Sequence, residues 1–399
     1  MKILVTSMID IETSAHNRLH QFLDYLSQHH EVTVMSISDQ WKIKHECDSE
    51  KQPDKFIDTH PNIQVYHYTN RQLSPIIQEI LSPAFIRLNL REVDFSSFDV
   101  HYNYNGMFGG YAITNILNKF KVPSVYDIAD NLPAMLQTSP QLPVYLRPIA
   151  GFIGRLIYSK NIKNSKEITV TTKGLGIISD VPEDKMVIIP NGVDTNLFQE
   201  KNTRELIRDK LHLDDSFTIG YVGVLREWVD FQDLFRAVQY LKNTLDLKIL
   251  IVGSGPEREK LNKLTVELGI DDVVIFTGNV PYNQVPDYIA AMDICTIPFK
   301  TNRVAKDSLP LKLFEYMACK KPVISSKIEI IEQEMSEYVY CIDSVNEIVE
   351  VITRLYNNQQ EREMIGNLGK DFVLSKYTWD NISQELENRL IDIVRESIA

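Results

Sequence analysis

The sequence has little of what marks nucleic-acid binders, disulfide-rich proteins or membrane-spanning proteins. Its 399 residues carry a formal net charge of −12, whereas a general nucleic-acid binder normally has a basic excess. The four cysteines show no CxxC spacing, and Cys295 and Cys319 lie in apolar segments, so we expect buried free thiols in a reducing cytoplasm. No run of about 18 apolar residues occurs, and we expect no membrane-spanning helix. The opening MKILVTSMIDIE has too short an apolar run to predict a signal peptide.

The sequence does contain a regular alternation of short apolar strands with amphipathic helices. Such alternation indicates βαβ units and parallel sheets with helices on both faces. The first helical pattern is HNRLHQFLDYLSQ, residues 16–28. The predicted strands are residues 2–8, 31–37, 122–128, 167–172, 217–223, 247–253, 273–278, 293–299 and 321–326.

The number of predicted strands is too large for one comfortable sheet. We therefore predict an α/β protein with two Rossmann-like, doubly wound parallel-sheet domains that face a central cleft. The turn-rich stretch IIPNGVDTNLF marks the boundary between residues 1–193 and residues 194–376. The final helical pattern, 377–399, either packs back on the first domain or caps the second.

The segment DSLPLKLFEYMACKKPVISS carries the strongest chemical signal. A helix start favours negative charge, and Lys312 in the first turn is unfavourable unless an anion answers it. Glu315, one turn on, can accept two ribose hydroxyls, and Asp307 can accept the hydroxyls of a sugar. The segment therefore predicts a site for a diphosphate flanked by two sugars. The backbone at the predicted helix start belongs to Ser308, Leu309, Pro310 and Leu311.

Two other strand ends carry weaker signals. Gly253 and Gly255 follow the strand LKILIVG and precede a helix whose N-terminus can receive a phosphate, although a plain tight turn fits equally well. Arg226 follows the strand that ends at Gly223. An arginine can form two hydrogen bonds to a phosphate, and the alternative is a solvated surface arginine.

Taken together, these segments resemble glycosyltransferase family four, the retaining group 1 glycosyltransferases of the GT-B fold. The motifs IIPNGVDTNLF, GYVGVL, LKILIVGSGPEREKL, VIFTGNVPYNQVPDYIAAMDICTIPF and DSLPLKLFEYMACKKPVISS follow its order and spacing over residues 185–345. The N-terminal half resembles the family only in outline. The resemblance implies a UDP- or GDP-linked sugar as donor, no metal or other cofactor, an acceptor-binding first domain and a donor-binding second domain. Trp228 and Asp230 resemble a subgroup of envelope-polysaccharide transferases of bacteria or archaea.

The resemblance assigns roles to the two acids. Asp307 holds the donor sugar and Glu315 holds the ribose, and both are candidate catalytic residues. Asp307 is one methylene shorter than the glutamate that the family more often has there. The turn after Gly278 supplies the base-binding backbone, at Asn279 and Val280.

The diphosphate positions depart from the family pattern. Val224 and Val229 stand where the family often has an arginine and a lysine. We therefore expect Arg226 and Lys312 to supply the missing positive charge. This departure bears on whether the chain is fully active.

The N-terminal half departs too, because IETSAHN replaces the usual Gly-Gly loop and Tyr126 replaces a common histidine before Asp127. In this family the leaving diphosphate is thought to help take the acceptor proton, so no protein nucleophile is required. We predict that Asp127 is a catalytic residue that positions the acceptor, although strand-end carboxylates also serve as helix caps. The other acceptor-side candidates are Asp130, Ser14 and Asn105.

One segment stands out independently of the family. Residues 131–166 contain no acid but several cations, and PVYLRPIAGFIGRLIYSKNIK mixes these with bulky apolar residues. A basic amphipathic segment predicts contact of residues 141–166 with an anionic membrane surface, at the inner face of the cell membrane. The alternative is an interior helix pair with solvated lysines. The cations are Arg147, Arg155, Lys160, Lys163 and Lys166.

The predicted function is transfer of a sugar from a nucleotide-diphosphate sugar to a glycan or lipid-linked acceptor, in cell-surface polysaccharide or glycoconjugate synthesis. A non-hydrolysing nucleotide-sugar epimerase shares the architecture but needs a carboxylate and histidine cluster that the second half lacks. A non-catalytic relative that acts as a binding subunit fits the changed phosphate positions. His16 and His20 share a predicted helix face without a third ligand, so we expect a solvated face rather than a metal site.

Overall fold

The computed structural model describes residues 1–14, 17–38, 56–139, 142–300 and 309–398. The chain divides into two compact units. The first unit comprises Met1–Pro190 and Asp380–Ala399, and the second comprises Asn191–Trp379. Each unit contains one parallel sheet, as the alternation of apolar strands and helices predicts.

The first unit is built on a seven-stranded parallel sheet of order β3-β2-β1-β4-β5-β6-β7. The order reverses between β1 and β4, which is the doubly wound arrangement that places ligands at the carboxyl ends of the strands. The strands are β1 Lys2–Ser7, β2 Glu31–Ser36, β3 Ile63–His67, β4 Val100–Tyr104, β5 Ser124–Ile128, β6 Glu167–Val170 and β7 Met186–Ile188.

Helices connect the successive strands of this sheet. Because parallel crossovers are right-handed, the connections that run from β3 toward β7 lie on one side of the sheet. In agreement, α4 contacts both α3 and α6. The helices are α1 Arg18–Leu26, α2 Phe56–Thr59, α3 Pro75–Asn89, α4 Phe108–Leu117, α5 Leu132–Thr138, α6 Arg147–Asn164 and α7 Lys173–Ile178.

The second unit repeats the plan with a six-stranded parallel sheet of order β10-β9-β8-β11-β12-β13, which reverses between β8 and β11. Its strands are β8 Phe217–Val222, β9 Leu247–Val252, β10 Val274–Gly278, β11 Ile294–Ile297, β12 Val323–Ser326 and β13 Val339–Ile342. Its helices are α8 Arg204–Leu211, α9 Gln232–Leu241, α10 Arg258–Glu267, α11 Val285–Ala291, α12 Leu311–Ala318, α13 Glu329–Met335, α14 Val345–Asn357 and α15 Gln359–Lys376. The last helix, α16, is Trp379–Ile398, and nearly all of it groups with the first unit.

All the strands predicted from the sequence are present, with ends that differ by a few residues. The first helix is also confirmed; it begins at Arg18 after an Asn17 cap. The expected free, buried thiols are found at Cys295 and Cys319. The strands β3, β4, β7 and β13 were not predicted.

Candidate functional site

The candidate site of the second unit lies at the carboxyl ends of β8, β9 and β10, beside the point where the strand order reverses. Backbone hydrogen bonds join these three ends. The Gly223 N–H donates to the Val252 carbonyl at 2.9 Å, and the Gly253 N–H donates to the Gly278 carbonyl at 2.8 Å. The strand ends therefore form one continuous backbone surface.

Glycine is required here because the backbone segments approach closely. Gly223 has φ +145°, and a Cβ on it would lie 2.5 Å from Lys312 Nζ. Gly253 has φ +128°, and its Cβ would lie 2.2 Å from the Gly223 carbonyl oxygen. A Cβ on Gly255 would lie 2.4 Å from the Leu225 carbonyl oxygen. The predicted glycine turns thus have a physical reason beyond a plain tight turn.

The start of α12 completes this surface. Pro310 caps the helix in an extended conformation, and Leu311 is the first helical residue. Leu309 is buried, and its carbonyl accepts a hydrogen bond from Asn191 Nδ2 at 3.2 Å. Two predicted site residues, Asp307 and Ser308, lie outside the described residues, and their roles stay predictions.

Lys312 extends from the first turn of α12 to the end of β8. Its Nζ donates to the Tyr221 hydroxyl at 2.9 Å and lies 4.4 Å from the centroid of that ring and 5.2 Å from the Phe299 ring. Burial lowers the pKa of Lys312 to about 8, against the charge of Glu315, which raises it. The aromatic rings stabilise a cation that has little water around it.

Glu315 lies one turn further along α12. Its Oε1 accepts a hydrogen bond from the Tyr282 hydroxyl at 3.1 Å, and the Tyr282 ring meets the Phe198 ring at a centroid distance of 5.5 Å. Burial raises the pKa of Glu315 to about 7, and the Tyr282 hydrogen bond and the Lys312 charge oppose this shift. A half-buried cation and a buried carboxylate therefore lie within one helical turn at the strand ends.

The remaining donor-side candidates are more exposed. Arg226 is exposed, and its guanidinium carbon lies 5.9 Å from the Trp228 ring centroid. Asn279 is exposed and Val280 half-buried, both directly after β10. The structure therefore places these residues on the same sheet edge as Lys312. The Arg226 guanidinium packs near the Trp228 ring.

Val224 and Val229, which stand where the family often has an arginine and a lysine, differ in environment. Val224 is 51% exposed, whereas Val229 is 5% exposed and pairs with Phe299 in an isolated β-bridge. Neither side chain can bind a phosphate through a charge. The half-buried Lys312 provides a positive charge at this site.

In the first unit, Asp127 ends β5 but is completely buried. Its carboxylate oxygens accept from the Arg18 guanidinium at 3.3 Å each, and Oδ1 accepts from the Thr169 hydroxyl at 2.5 Å. Arg18 also donates to the Ile189 carbonyl at 2.7 Å. Both Asp127 oxygens thus have protein partners, which favours a structural role, and the predicted acceptor contact stays a prediction.

The other acceptor-side candidates lie around the end of β5. Asp130 is exposed, and its Oδ2 accepts from Asn105 Nδ2 at 3.4 Å. Asn105 adopts φ +49°, and its Oδ1 accepts from the Ala129 N–H at 2.9 Å. Ser14 lies in the loop after β1, and its hydroxyl is buried without a partner among the described residues. The structure thus brings Asp130 and Asn105 into contact.

The expectation of a solvated histidine face was wrong for His20. His16 lies outside the described residues, but His20 is buried, not solvated. Its Nδ1 accepts from the Asn17 N–H at 3.3 Å, and its Nε2 lies 2.9 Å from the Ile11 carbonyl oxygen. Its role is therefore to fix the start of α1.

A different group of residues in the first unit has metal-ligand chemistry. One ligand atom each from Asp10, Glu12 and His67 lies within 4.8 Å of the others. His67 Nε2 lies 3.1 Å from Glu12 Oε2, which is an ordinary hydrogen bond. The prediction of a metal-free reaction is not tested by this cluster.

Sequence reasoning missed three side chains that hold the sites together: Tyr221, Tyr282 and Arg18. Tyr282 follows the turn predicted to bind the base by a few residues, and an aromatic side chain there was the available signal. Arg18 stands at the first residue of α1, where the helix dipole disfavours a cation. The unfavourable position of a cation in the first turn of a helix, which indicated an anion near Lys312, also indicates an acidic partner for Arg18. Tyr221 carried no separate signal, because it reads as an ordinary strand residue.

Comparison with known proteins finds a family match within the second unit. Residues 202–372 match the family model of the glycosyl transferases group 1. Residues 202–372 are therefore similar in sequence to the group 1 glycosyl transferases. The match lies entirely within the second unit, which carries Lys312 and Glu315.

Similar proteins are found in archaea and bacteria. An uncharacterized glycosyltransferase of Methanocaldococcus jannaschii is 31% identical over 222 residues, which is 53% of this chain and 55% of that protein. The GDP-mannose-dependent alpha-(1-6)-phosphatidylinositol monomannoside mannosyltransferase of Mycobacterium tuberculosis is 25% identical over 217 residues, 52% of this chain and 56% of that protein. The chain spans about half the length of these curated relatives.

The fold is shared with a solved structure over nearly the whole chain. The Anabaena protein Alr3699/HepE, solved in complex with UDP, superposes with a TM-score of 0.72 at 17% identity, covering 98% of this chain and 100% of that chain. At this identity the likeness concerns the fold alone. It confirms the predicted GT-B class, with one Rossmann-like parallel sheet in each unit.

Proposed function

We propose that the protein is a retaining glycosyltransferase that transfers a sugar from a UDP- or GDP-linked donor to a glycan or lipid-linked acceptor. The proposed setting is cell-surface polysaccharide or glycoconjugate synthesis, in the cytoplasm at the inner face of the cell membrane. The observation that carries the proposal is the pair of half-buried Lys312 and buried Glu315, at the strand ends of the unit in which the group 1 family model matches. A ligand with both phosphates and hydroxyls complements this pair.

In the proposed donor complex, Lys312 binds the diphosphate. Its ammonium group lies where Gly223 leaves space for it, and the positive end of the α12 dipole points the same way. Charge that develops on the leaving diphosphate is then met by a cation that is already in place. Such preorganised electrostatic stabilisation is commonly the largest contribution to enzyme catalysis.

Glu315 is proposed to bind the ribose. A carboxylate has two oxygens that can each accept a hydrogen bond from a hydroxyl. Oε1 of Glu315 accepts a hydrogen bond from the Tyr282 hydroxyl. The exposed backbone at Asn279, next to β10, is proposed to contact the base. Asp307 is proposed to hold the donor sugar.

The chemistry requires no nucleophile from the protein. The acceptor hydroxyl oxygen forms a bond to the anomeric carbon on the same face from which the diphosphate leaves. The bond between that carbon and the β-phosphate oxygen breaks, and the hydroxyl proton passes to the departing phosphate. The proposed reaction uses no metal ion, and Asp130 and Ser14 are proposed to position the acceptor.

Donor class is supported by what related proteins are said to bind. The M. tuberculosis relative is described as GDP-mannose-dependent, and the Anabaena structure contains UDP. These two nucleotides therefore lead the panel of ligands that tests the proposal.

The test is a thermal-shift screen of the full chain with UDP, GDP and their sugars, on wild type and on Glu315→Gln. One nucleotide class is expected to raise the melting temperature by about 5 °C at about 100 times its Kd. Glu315→Gln should lose the shift. Glu350→Gln removes an exposed acid elsewhere in the second unit and should keep it.

The other outcomes also have meanings. If no nucleotide shifts the melting temperature, the donor site is assigned wrongly. If a nucleotide sugar binds but neither transfer nor slow hydrolysis releases its sugar, the chain is a non-catalytic binding subunit.

A further inference from the structure

Three helices on one side of the first unit's sheet are almost free of acidic residues. The helices α3, α4 and α6 lie on this side of the sheet, and together they contain one acidic residue, Glu79. Glu79 is buried, and its Oε1 accepts from the N–H groups of Met107 and Gly109 at 3.1 Å each. The outer surface of these helices therefore carries no negative side chain, in a chain with a formal net charge of −12.

The same side exposes large apolar side chains along α6 and the turn before it. Tyr145 is 77% exposed, and Ile149, Phe152 and Leu156 follow at helical spacing, with Phe152 56% exposed. The opposite face of α6 is buried through Ile157 and other residues. The alternative of an interior helix pair is therefore wrong, because the apolar stripe is on the outside.

Helix α3 adds a second exposed apolar row that the sequence did not predict. Ile77, Ile80, Leu81 and Leu88 are all exposed, with Ile80 at 54%. Because α4 contacts both helices, the rows on α3 and α6 belong to the same helix layer. An exposed apolar surface of this extent is typical of an interaction site rather than of free surface.

Cations accompany the apolar rows. Arg155, Lys160 and Lys163 are exposed on α6. Lys160 Nζ lies 5.6 Å from the Tyr111 ring of α4, which links the cations of α6 to the middle of the layer. The combination of exposed apolar rows, exposed cations and no exposed acid is the chemistry of a surface that binds anionic lipid.

We propose that the outward residues of α3 and α6, here called the docking face, bind the surface of an anionic phospholipid bilayer. The apolar rows enter the boundary between headgroups and acyl chains, and the cations contact the phosphates. Among the helices that the structure describes, none combines the length and apolar character needed for a membrane crossing, so we infer contact with one leaflet only. This inference names the surface through which the proposed function reaches a lipid-linked acceptor, but it does not depend on donor binding.

The charge of the docking face indicates whether a membrane or a second copy of the chain covers it. In a twofold dimer the same patch would meet itself, and the α6 cations of both copies would approach one another. An anionic bilayer offers the opposite charge. The bilayer is therefore the occupant that the face fits.

The experiment is co-sedimentation of the full chain with two kinds of vesicle, phosphatidylcholine alone and an equal mixture of phosphatidylcholine and phosphatidylglycerol. Wild type is expected to bind the mixed vesicles at low salt and to bind neutral vesicles weakly. Ile149→Asp/Phe152→Asp and Ile80→Asp/Leu88→Asp should each lower the binding constant at least about tenfold. Neutralising Arg155, Lys160 or Lys163 with Gln should lower it about fivefold per cation.

The matched control is Leu206→Asp/Val266→Asp, which adds the same charges at exposed apolar positions of the second unit. It should bind vesicles as wild type does. Circular dichroism and the nucleotide-induced melting shift show that each variant is folded, and they separate a failure here from a failure of the proposed donor site.

Three results would overturn the inference. Wild type could fail to bind mixed vesicles at low salt. The face variants could bind as well as wild type, or the control could lose as much binding as they do. Sedimentation velocity could instead reveal a dimer that the face variants dissociate, without vesicle binding, in which case the face is an interface between copies.

Discussion

Gly223 shows at the residue scale how closely the proposed donor site depends on a missing side chain. A Cβ there would lie 2.5 Å from Lys312 Nζ, and φ is +145°. We expect Gly223→Ala to lower the free energy of unfolding by about 1–2 kcal/mol through strain and to weaken nucleotide binding roughly tenfold by displacing Lys312. Denaturant titration and calorimetry measure the two effects separately.

Gly269 provides a matched control for strain. It has φ +62°, and no neighbouring atom lies within 4 Å of its would-be Cβ. Gly269→Ala should therefore lower stability by about 1 kcal/mol without any change in nucleotide affinity. A Gly223→Ala variant with normal affinity would show that Lys312 does not hold the diphosphate.

Glu315 should cost stability in the unliganded protein. Burial raises its pKa to about 7, so the folded protein favours the protonated carboxyl. Protonation of Glu315 therefore stabilises the folded state fully below the ordinary pKa of a glutamate, and this stabilisation is lost as pH rises through about 7. At about pH 9 the lowered pKa of Lys312, about 8, also leaves the carboxylate without a charged neighbour. We expect Glu315→Gln to raise the free energy of unfolding at that pH by on the order of 1–3 kcal/mol, while abolishing nucleotide binding.

Urea unfolding of wild type and Glu315→Gln between about pH 5 and pH 9 measures this effect. The difference between the two proteins should grow with pH. A constant or shrinking difference would mean that the carboxylate is not penalised by burial.

At this scale the sequence indicated Lys312 and Glu315 because both lie in one short segment with a recognisable dipole conflict. Tyr221 and Tyr282 could not be predicted in the same way. Tyr282 reaches Glu315 across 33 positions of chain and Tyr221 reaches Lys312 across 91, so each contact exists only after the sheet has formed. Pairings of that range are set by strand order rather than by local pattern.

At the scale of elements, the pair of Arg18 and Asp127 joins α1 to β5, and Thr169 extends the connection to β6. Asp127→Ala leaves a buried guanidinium without its counter-ion, which should cost about 3–5 kcal/mol of stability. The exposed Asp130→Ala should change stability by less than about 0.5 kcal/mol. Denaturant midpoints of the two variants check the difference.

A stable Asp127→Ala variant that loses only sugar transfer would contradict this view. It would restore the prediction that Asp127 contacts the acceptor directly.

Two of the unpredicted strands, β4 and β7, have separate physical explanations. β4 is fully buried although it contains His101 and Asn103, because Thr6 lies 2.9 Å from both side chains. Burial also lowers the pKa of His101 to about 3, so it stays neutral in this network. When the polar groups of a strand form hydrogen bonds with one another inside the protein, the strand can be buried without the apolar run by which buried strands are predicted. β7 is only three residues long, which is too short for any periodic signal.

At the scale of the whole molecule, the two units differ in how much their sequence reveals. The family model matches residues 202–372, inside the second unit, where the donor motifs follow one another in order. The first unit departs at its first loop, and its exposed apolar face arises from two helices far apart in sequence. Net charge also conceals this face, because −12 is a sum over all residues of the chain and shows nothing of where the charges lie.

The central claim is that a nucleotide diphosphate binds at the strand ends of the second unit, with Lys312 and Glu315. Hydrogen–deuterium exchange of the full chain, with and without saturating UDP or GDP, tests it most directly. We predict slower exchange in the turns after β8, β9 and β10 and in the first turn of α12, with the first-unit sheet unchanged. Protection that maps instead to the first unit, or none at a concentration that shifts the melting temperature, would contradict the account.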